Sequence, residues 1–348
     1  MNSGRSGVPA MSYTFLELLD QTFRIYRDNF LAFVSLTALV TIPLTVVNLL
    51  VTLPALDAAV DVSTLGSDST MAYSSSICLS GLVSFVVALL QFVLVNAPIT
   101  YMTSERQMGR RVSVAEAFSA TRPRFASLGF GFVTFYITLV VFTMAVVLLS
   151  GALNFAPILA GLGVVAYIGF ATYALLVPVL VLENVRMSFG VSRAWSLGKA
   201  RFWTTFGLML ALFVISFVIS LAFTALTQLM VQQSLQSSSF VLAQVIDAVL
   251  TTLVNVFLVP LLPIGLTLLY YDTRTRVEGL DLALQALDNP EARPGDVVSF
   301  PGGARLNSQD WINIVILTGA ALVIGVVFST AAYSLLEGIL PAGSLSSF

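Results

Sequence analysis

Seven stretches of this chain stay apolar for longer than the core helix of a water-soluble domain requires, and no other feature restricts its fold as much. They cover roughly residues 30–53, 77–102, 125–150, 155–182, 202–231, 240–271 and 311–336. A hydrocarbon layer about 30 Å thick is crossed by about 20 residues rising about 1.5 Å each, so every stretch is long enough to span it. Segments of about ten residues with alternating polarity, the mark of a membrane barrel, are missing, which leaves helices to satisfy the backbone in lipid. Composition agrees, since 10% of the residues are charged against about 25% in water-soluble domains. The expected fold is all-α, a polytopic membrane protein with seven transmembrane helices.

The 16 Arg and Lys residues predict the orientation. Arg5, Arg24 and Arg27 precede the first span, and Arg106, Arg110, Arg111, Arg122 and Arg124 lie between the second and third. Arg186, Arg193, Lys199 and Arg201 separate the fourth and fifth, and Arg274, Arg276, Arg293 and Arg305 the sixth and seventh. All fall on one side. The opposite loops carry Asp57, Asp61 and Asp68 or, as in the Gln/Ser run 232–239, no charge. The positive-inside rule then puts the N-terminus in the cytoplasm and the C-terminus outside. Residues 1–29 hold no cleavable signal pattern. The Gly/Ser-rich residues 1–11 are expected to be disordered, and Met11 is a second candidate start.

A pattern recurs before spans one, three and five: an aromatic residue, a cation four positions on and a phenylalanine seven positions on. The copies are Phe23, Arg27 and Phe30; Phe118, Arg122 and Phe125; and Trp195, Lys199 and Phe202. Seven residues is about two helical turns, so both aromatics and the cation share a face. Two copies open with a capping box, Thr14 with Glu17 and Ser113 with Glu116, while the third begins at Ser188 without the acid. Each copy reads as a short amphipathic helix in the cytoplasmic interface, Phe23, Phe118 and Trp195 among the acyl chains and Arg27, Arg122 and Lys199 on lipid headgroups. The domain reading is three such units, each followed by a helical hairpin, over about 13–105, 112–183 and 187–287, inside a six-helix domain 12–287. The returning helix of each hairpin carries proline, at Pro98, at Pro178 and at Pro260 with Pro263, where a kink is expected. A Pro/Gly-rich connector, 288–310, leads to the seventh helix and outer tail, 311–348.

After the sixth span the sequence reads LLYYDTRTRVEGLDLALQAL over residues 268–287. This resembles the string that closes the membrane domain of the glycerophosphoryl diester phosphodiesterase membrane-domain family and its bacterial and archaeal relatives. The matching positions are Tyr270, Tyr271, Asp272, Arg274, Arg276, Glu278, Gly279 and Asp281. The segments PVLVLENVRMSFGVSRAWSLGKARFW, residues 178–203, and LELLDQTFRIYRDNF, residues 16–30, are similar in kind to the family's internal stretches. The resemblance implies a membrane module of a prokaryotic plasma membrane. It does not imply hydrolysis, because the family's catalytic domain is a soluble barrel with histidine and acidic metal-binding motifs, which this chain lacks. The added seventh span is a further departure.

With no histidine and one cysteine, Cys78, a histidine base, a His/Cys zinc site, a Ser-His-Asp triad and an intrachain disulfide are excluded, and no cofactor is expected. A net charge of −2 argues against a nucleic-acid partner. Asp247, with Gln244 one turn earlier, is the ionisable group set deepest in a span; it reads either as a proton- or cation-binding carboxylate or as a packed, amide-paired one. The amides Asn48, Gln91, Asn96, Asn154, Gln228 and Asn255 read as interhelical hydrogen-bonding groups. Asp272 with Arg276 and Arg274 with Glu278 stand at i,i+4 spacing and should neutralise one another as a stop-anchor or docking surface. Small residues Gly161, Gly163 and Gly169 in span four allow close approach of another helix, as do Ala321, Gly325 and Ser329 on one face of span seven. The functional expectation is a non-catalytic scaffold or accessory subunit that binds membrane lipids and, through span seven, a membrane protein partner. The alternative is a small-molecule or lipid transporter with its site between the hairpins.

Overall fold

The computed structural model describes residues 12–61, 67–153, 156–235, 240–287, 289, 292–300, 306–320 and 323. Residues 1–11 and the small-residue face Ala321, Gly325 and Ser329 lie outside them. Among the described residues every regular element is helical. Six runs are long and apolar enough to cross a membrane: Phe30–Leu53, Cys78–Gln107, Val114–Val141, Gly163–Leu182, Phe202–Ala225 and Gln244–Glu278.

A short helix, α1 (Phe15–Asp28), precedes the first pair, α2 (Phe30–Asp61) and α3 (Ser67–Gln107). The second group is α4 (Val114–Thr121), α5 (Phe125–Leu153), α6 (Ala156–Tyr173) and α7 (Leu176–Leu182). The third is α8 (Met187–Ala200), α9 (Phe202–Leu235), α10 (Phe240–Leu258), α11 (Leu261–Glu278) and α12 (Leu280–Ala286). A last helix, α13, covers residues 308–320.

Local chemistry fixes several boundaries. Both expected capping boxes form: Thr14 N–H donates to the Glu17 carboxylate at 2.8 Å and Ser113 N–H to that of Glu116 at 2.8 Å. The third short helix instead starts after Arg186, with no side-chain cap. Proline breaks two of the three returning helices. The chain turns at Ala174 and Leu175 between α6 and α7, and at Val259 and Pro260 between α10 and α11. Pro178 and Pro263 have no N–H for the carbonyls of Ala174 and Val259, so those turns lose a helical bond each. Pro98 stays inside a continuous α3. At the other end of α11, Gly279 takes φ 65° and caps the helix through its N–H to the carbonyls of Arg274 and Thr275. Glycine adopts that left-handed backbone without a Cβ clash, which explains its place in the closing string.

The tightest packing sits at the end of the bundle that holds the Arg and Lys residues, here the basic end. Phe33 and Leu36 of α2, Ile99 and Met102 of α3, Val179 and Leu180 of α7, Ile264 and Leu268 of α11, and Leu175 in the turn before α7 are buried there. Away from that end α9 presents Phe213, Phe217, Val218 and Leu221 outward, as a lipid-facing helix does. A second cluster joins Tyr167, Ala171, Trp195 and Phe202 to Ile314 and Leu317 of α13. A Cβ on Gly163 would stand 1.9 Å from Thr318 Oγ1. The first half of the expected seventh span is thus docked on α6 of its own chain, where the sequence reading places it outside the core.

Candidate functional site

The string after the sixth span is where α11 is most buried, and its side chains Tyr271, Asp272, Arg274 and Arg276 each reach another part of the chain. Arg274 is fully buried. It donates to Glu278 at 3.0 Å, to the Tyr270 hydroxyl at 2.9 Å and to the Pro294 carbonyl at 3.0 Å. Glu183, at the end of α7, lies 3.4 Å from Arg274 and accepts from Tyr270 at 3.0 Å and from Arg193 of α8 at 3.0 Å. Arg193 also holds both oxygens of Glu278 and donates to the Phe300 carbonyl at 3.2 Å. Two arginines and two glutamates therefore cancel in one buried cluster that ties α7, α8 and α11 to the connector. Burial by itself weakens the Arg193 charge, but its hydrogen bonds to Glu278 and the nearby Glu183 hold its pKa above the ordinary arginine value.

Asp272 forms a second knot. It accepts from Tyr13 N–H at 2.8 Å and Arg276 at 2.8 Å and pairs with Arg201, joining the starts of α1 and α9 to α11. Burial pushes the Arg201 guanidinium below its usual value, an effect the Asp272 carboxylate opposes. Tyr271 shares a 2.7 Å hydrogen bond with Ser104, next to Glu105, which pairs with Arg110 at 2.6 Å and Arg293 at 3.3 Å. Asp310, at the start of α13, accepts from Tyr167 of α6 and stands 3.8 Å from Lys199.

The expected i,i+4 pairs form, at 2.8 Å for Asp272 with Arg276 and 3.0 Å for Arg274 with Glu278. They are not a docking surface, because α1, α7 and α8 pack over them and leave Tyr270, Tyr271, Asp272 and Arg274 at 0% exposure. Asp281 lies on the following helix α12. Of the lipid anchors, Phe23, Arg27 and Arg122 are exposed and Phe118 is half-buried. Trp195 and Lys199 depart from the expectation: α8 is wedged between α6, α7 and α11, Trp195 is 9% exposed against Tyr167, and Lys199 faces Asp310. The wedge is possible because Gly198 lets α8 touch the α6 backbone, a Cβ there lying 1.8 Å from the Ala171 carbonyl oxygen. Glu183, Arg193, Arg201, Glu105 and Asp310 are partners the sequence reading does not single out. Their signal is that they are acids or arginines beside span ends on the basic side, where an acid has a cation to meet.

Asp247 is half-buried on α10, and no hydrogen bond joins it to Gln244. Asn48 accepts from Ser84 at 2.9 Å and Gln91 donates to Thr41 at 3.4 Å, so those two amides do link α2 to α3.

A cavity of about 340 Å³ lies beside the two proline breaks, between α3, α5, α6, α7, α9 and α11. Its wall is mainly apolar and includes Phe92, Phe132, Phe170, Pro178 and Pro263, with Asn96 and Thr100 as polar members. Asp247 is not part of it. Compared with known protein families, with curated proteins and with solved structures, the chain matches none.

Proposed function

We propose that the protein is a non-catalytic membrane scaffold or accessory subunit, built from three units of short helix plus hairpin, with its basic end in the cytoplasm of a prokaryotic cell. The observation that carries this reading is the buried cluster of Arg193, Arg274, Glu183 and Glu278. A catalytic acid or base must present a group to a substrate, whereas each carboxylate here is engaged by arginine and each arginine holds down a separate segment. Phe23 with Arg27, and Phe118 with Arg122, supply contacts for lipid headgroups at the same end. The start of the expected seventh span is packed on α6, and the small residues Ala321, Gly325 and Ser329 later in its sequence are the ones assigned to a second membrane protein.

Purification of the full chain from native membranes in mild detergent tests this. One protein should co-purify at fixed stoichiometry, be lost with Gly325→Leu and be retained with Gly81→Leu, a lipid-facing control position with open space around it. Recovery of the chain alone refutes the partner. The cavity favours a second reading, passage of a small apolar or lipid solute between the hairpins. Flux in proteoliposomes that is blocked by Gly169→Leu in the cavity wall would replace the scaffold; flux that is proton-dependent and lost with Asp247→Asn would place the path along α10 instead.

A further inference from the structure

The cavity is larger than imperfect packing explains. Protein interiors leave few voids bigger than one water, and an apolar cavity of about 150 Å³ already takes up benzene; this one holds about 340 Å³. Its rim residues Phe132, Phe135 and Val165 are partly exposed and Leu262 is 37% exposed, so the lipid side of the bundle opens into it.

Thr100 distinguishes it from an empty gap. Thr22, Thr37, Thr121 and Thr267 return their hydroxyl to the carbonyl four residues earlier at 2.6–2.9 Å, whereas the hydroxyls of Thr100, Thr103, Thr205, Thr273 and Thr275 are buried without a partner, and of these five only Thr100 lines the cavity. Thr100 is fully buried in the cavity wall, and its Oγ1 has no hydrogen-bond partner. A buried hydroxyl left unpaired is costly, and an acceptor brought in by a ligand removes that cost. Thr100 lies seven residues before the basic end of α3 at Gln107, about 10 Å along the helix axis. With the headgroups level with the basic end of α3, that depth falls just below them, where a glycerophospholipid carries its ester carbonyls.

We propose that this cavity is a binding site for one acyl chain of a bilayer glycerophospholipid, with an ester carbonyl accepting from Thr100 Oγ1 and the chain lying against Phe92, Phe132 and Phe170 beside the proline breaks. The site goes beyond the scaffold reading and does not depend on it. The broken helices give the chain room, and Gly169 keeps the wall open: a Cβ there meets nothing closer than Phe135 Cε2 at 3.9 Å.

The test uses the full chain in phosphatidylglycerol nanodiscs doped with a phospholipid bearing a diazirine in its acyl chain, with cross-linked peptides mapped after photolysis. Labelling should concentrate on the peptides around Phe92, Phe132 and Phe170, be lost in Gly169→Leu, whose side chain fills the space, and persist in Gly81→Leu. Thr100→Val, close in shape, should lower cavity labelling about three- to tenfold, the equivalent of one hydrogen bond. A diazirine-bearing alkane without the ester should label the cavity equally in Thr100→Val and wild type. Labelling spread evenly over all lipid-facing helices and indifferent to Gly169→Leu overturns the site. A prenyl lipid retained in place of phospholipid, identified by native mass spectrometry of the purified chain, overturns the identity of the occupant. Gly169→Leu and Thr100→Val are first shown by thermal unfolding to be folded; if Gly169→Leu is not, Gly169→Ala with a reduced loss of labelling serves as the filling variant.

Discussion

Arg193 reaches two carboxylates and a backbone carbonyl from a position that is 1% exposed, so its replacement leaves charge behind with nothing to meet it. Removing one partner of a buried pair costs about 3–5 kcal/mol, most of it the penalty on the abandoned group. Arg193→Met should therefore lower the unfolding temperature in detergent sharply, and Arg193→Lys should recover only part of the loss because an ammonium cannot bridge Glu183 and Glu278 as a planar fork does. Equal unfolding temperatures for all three would show that the cluster holds nothing together. At the surface, Glu17 is a gentler case. Hydrogen bonds from the Thr14 backbone N–H, then its hydroxyl, hold the Glu17 carboxyl below the usual carboxylate range. A lowered folded value means that the cap's contribution is complete above about pH 4.5, the ordinary value, and is lost as pH falls through the folded one. Hydrogen-exchange protection at the start of α1, corrected for intrinsic rates, should fall on acidification below the ordinary carboxylate value in the native chain and show no such step in Glu17→Gln, whose side chain accepts from the Thr14 N–H without titrating.

At the scale of the element, the difference between α8 and the other two short helices is decided by glycine. Gly198 and Gly190 bring α8 against Ala171 and Leu180, where a Cβ would lie 1.8 Å and 2.5 Å from its neighbours. The Leu180 contact is a flexible side-chain end, but the Ala171 contact is backbone and cannot yield. Gly198→Ala should push α8 off α6, a change that overpacking values put at about 1–3 kcal/mol or more. Limited proteolysis after Arg193 and Lys199 is the readout: faster cleavage in Gly198→Ala, no change in Gly81→Ala, and no change in either if α8 is not wedged. This helix also marks where sequence reasoning stops. Capping boxes, proline breaks and the i,i+4 pairs of α11 are legible because each depends on residues a few positions apart. Trp195 and Lys199 repeat the spacing of Phe23 and Arg27, yet the spacing says nothing about which short helix will be covered, since that depends on contacts with Ala171 and Asp310 far along the chain. For the same reason Arg274 and Glu278 are visible as a pair, while Glu183 and Arg193, which complete the cluster, are not.

On the scale of the whole molecule, the buried ion pairs and the tightest apolar packing occupy one end, and the opposite half of the bundle is left to contact lipid. A protein that stands in a bilayer can afford this, because lipid tails do not penalise exposed Leu and Phe as water does. The arrangement makes the direction of insertion testable with the chain's single cysteine. Cys78 is exposed and begins the span that ends at Gln107 on the basic end. That span has 30 residues, about 45 Å of helix against a hydrocarbon thickness of about 30 Å, so Cys78 stands at the water boundary of the far side. If arginines face the cytoplasm, a membrane-impermeant maleimide should label Cys78 in intact cells. In a Cys78→Ser background, Ser119→Cys on the exposed face of α4 at the basic end should react only after permeabilisation. The reverse pattern would invert the protein in the membrane, move the exposed arginines Arg27 and Arg122 to the outer headgroups, and require that any partner of the basic end be sought outside the cell.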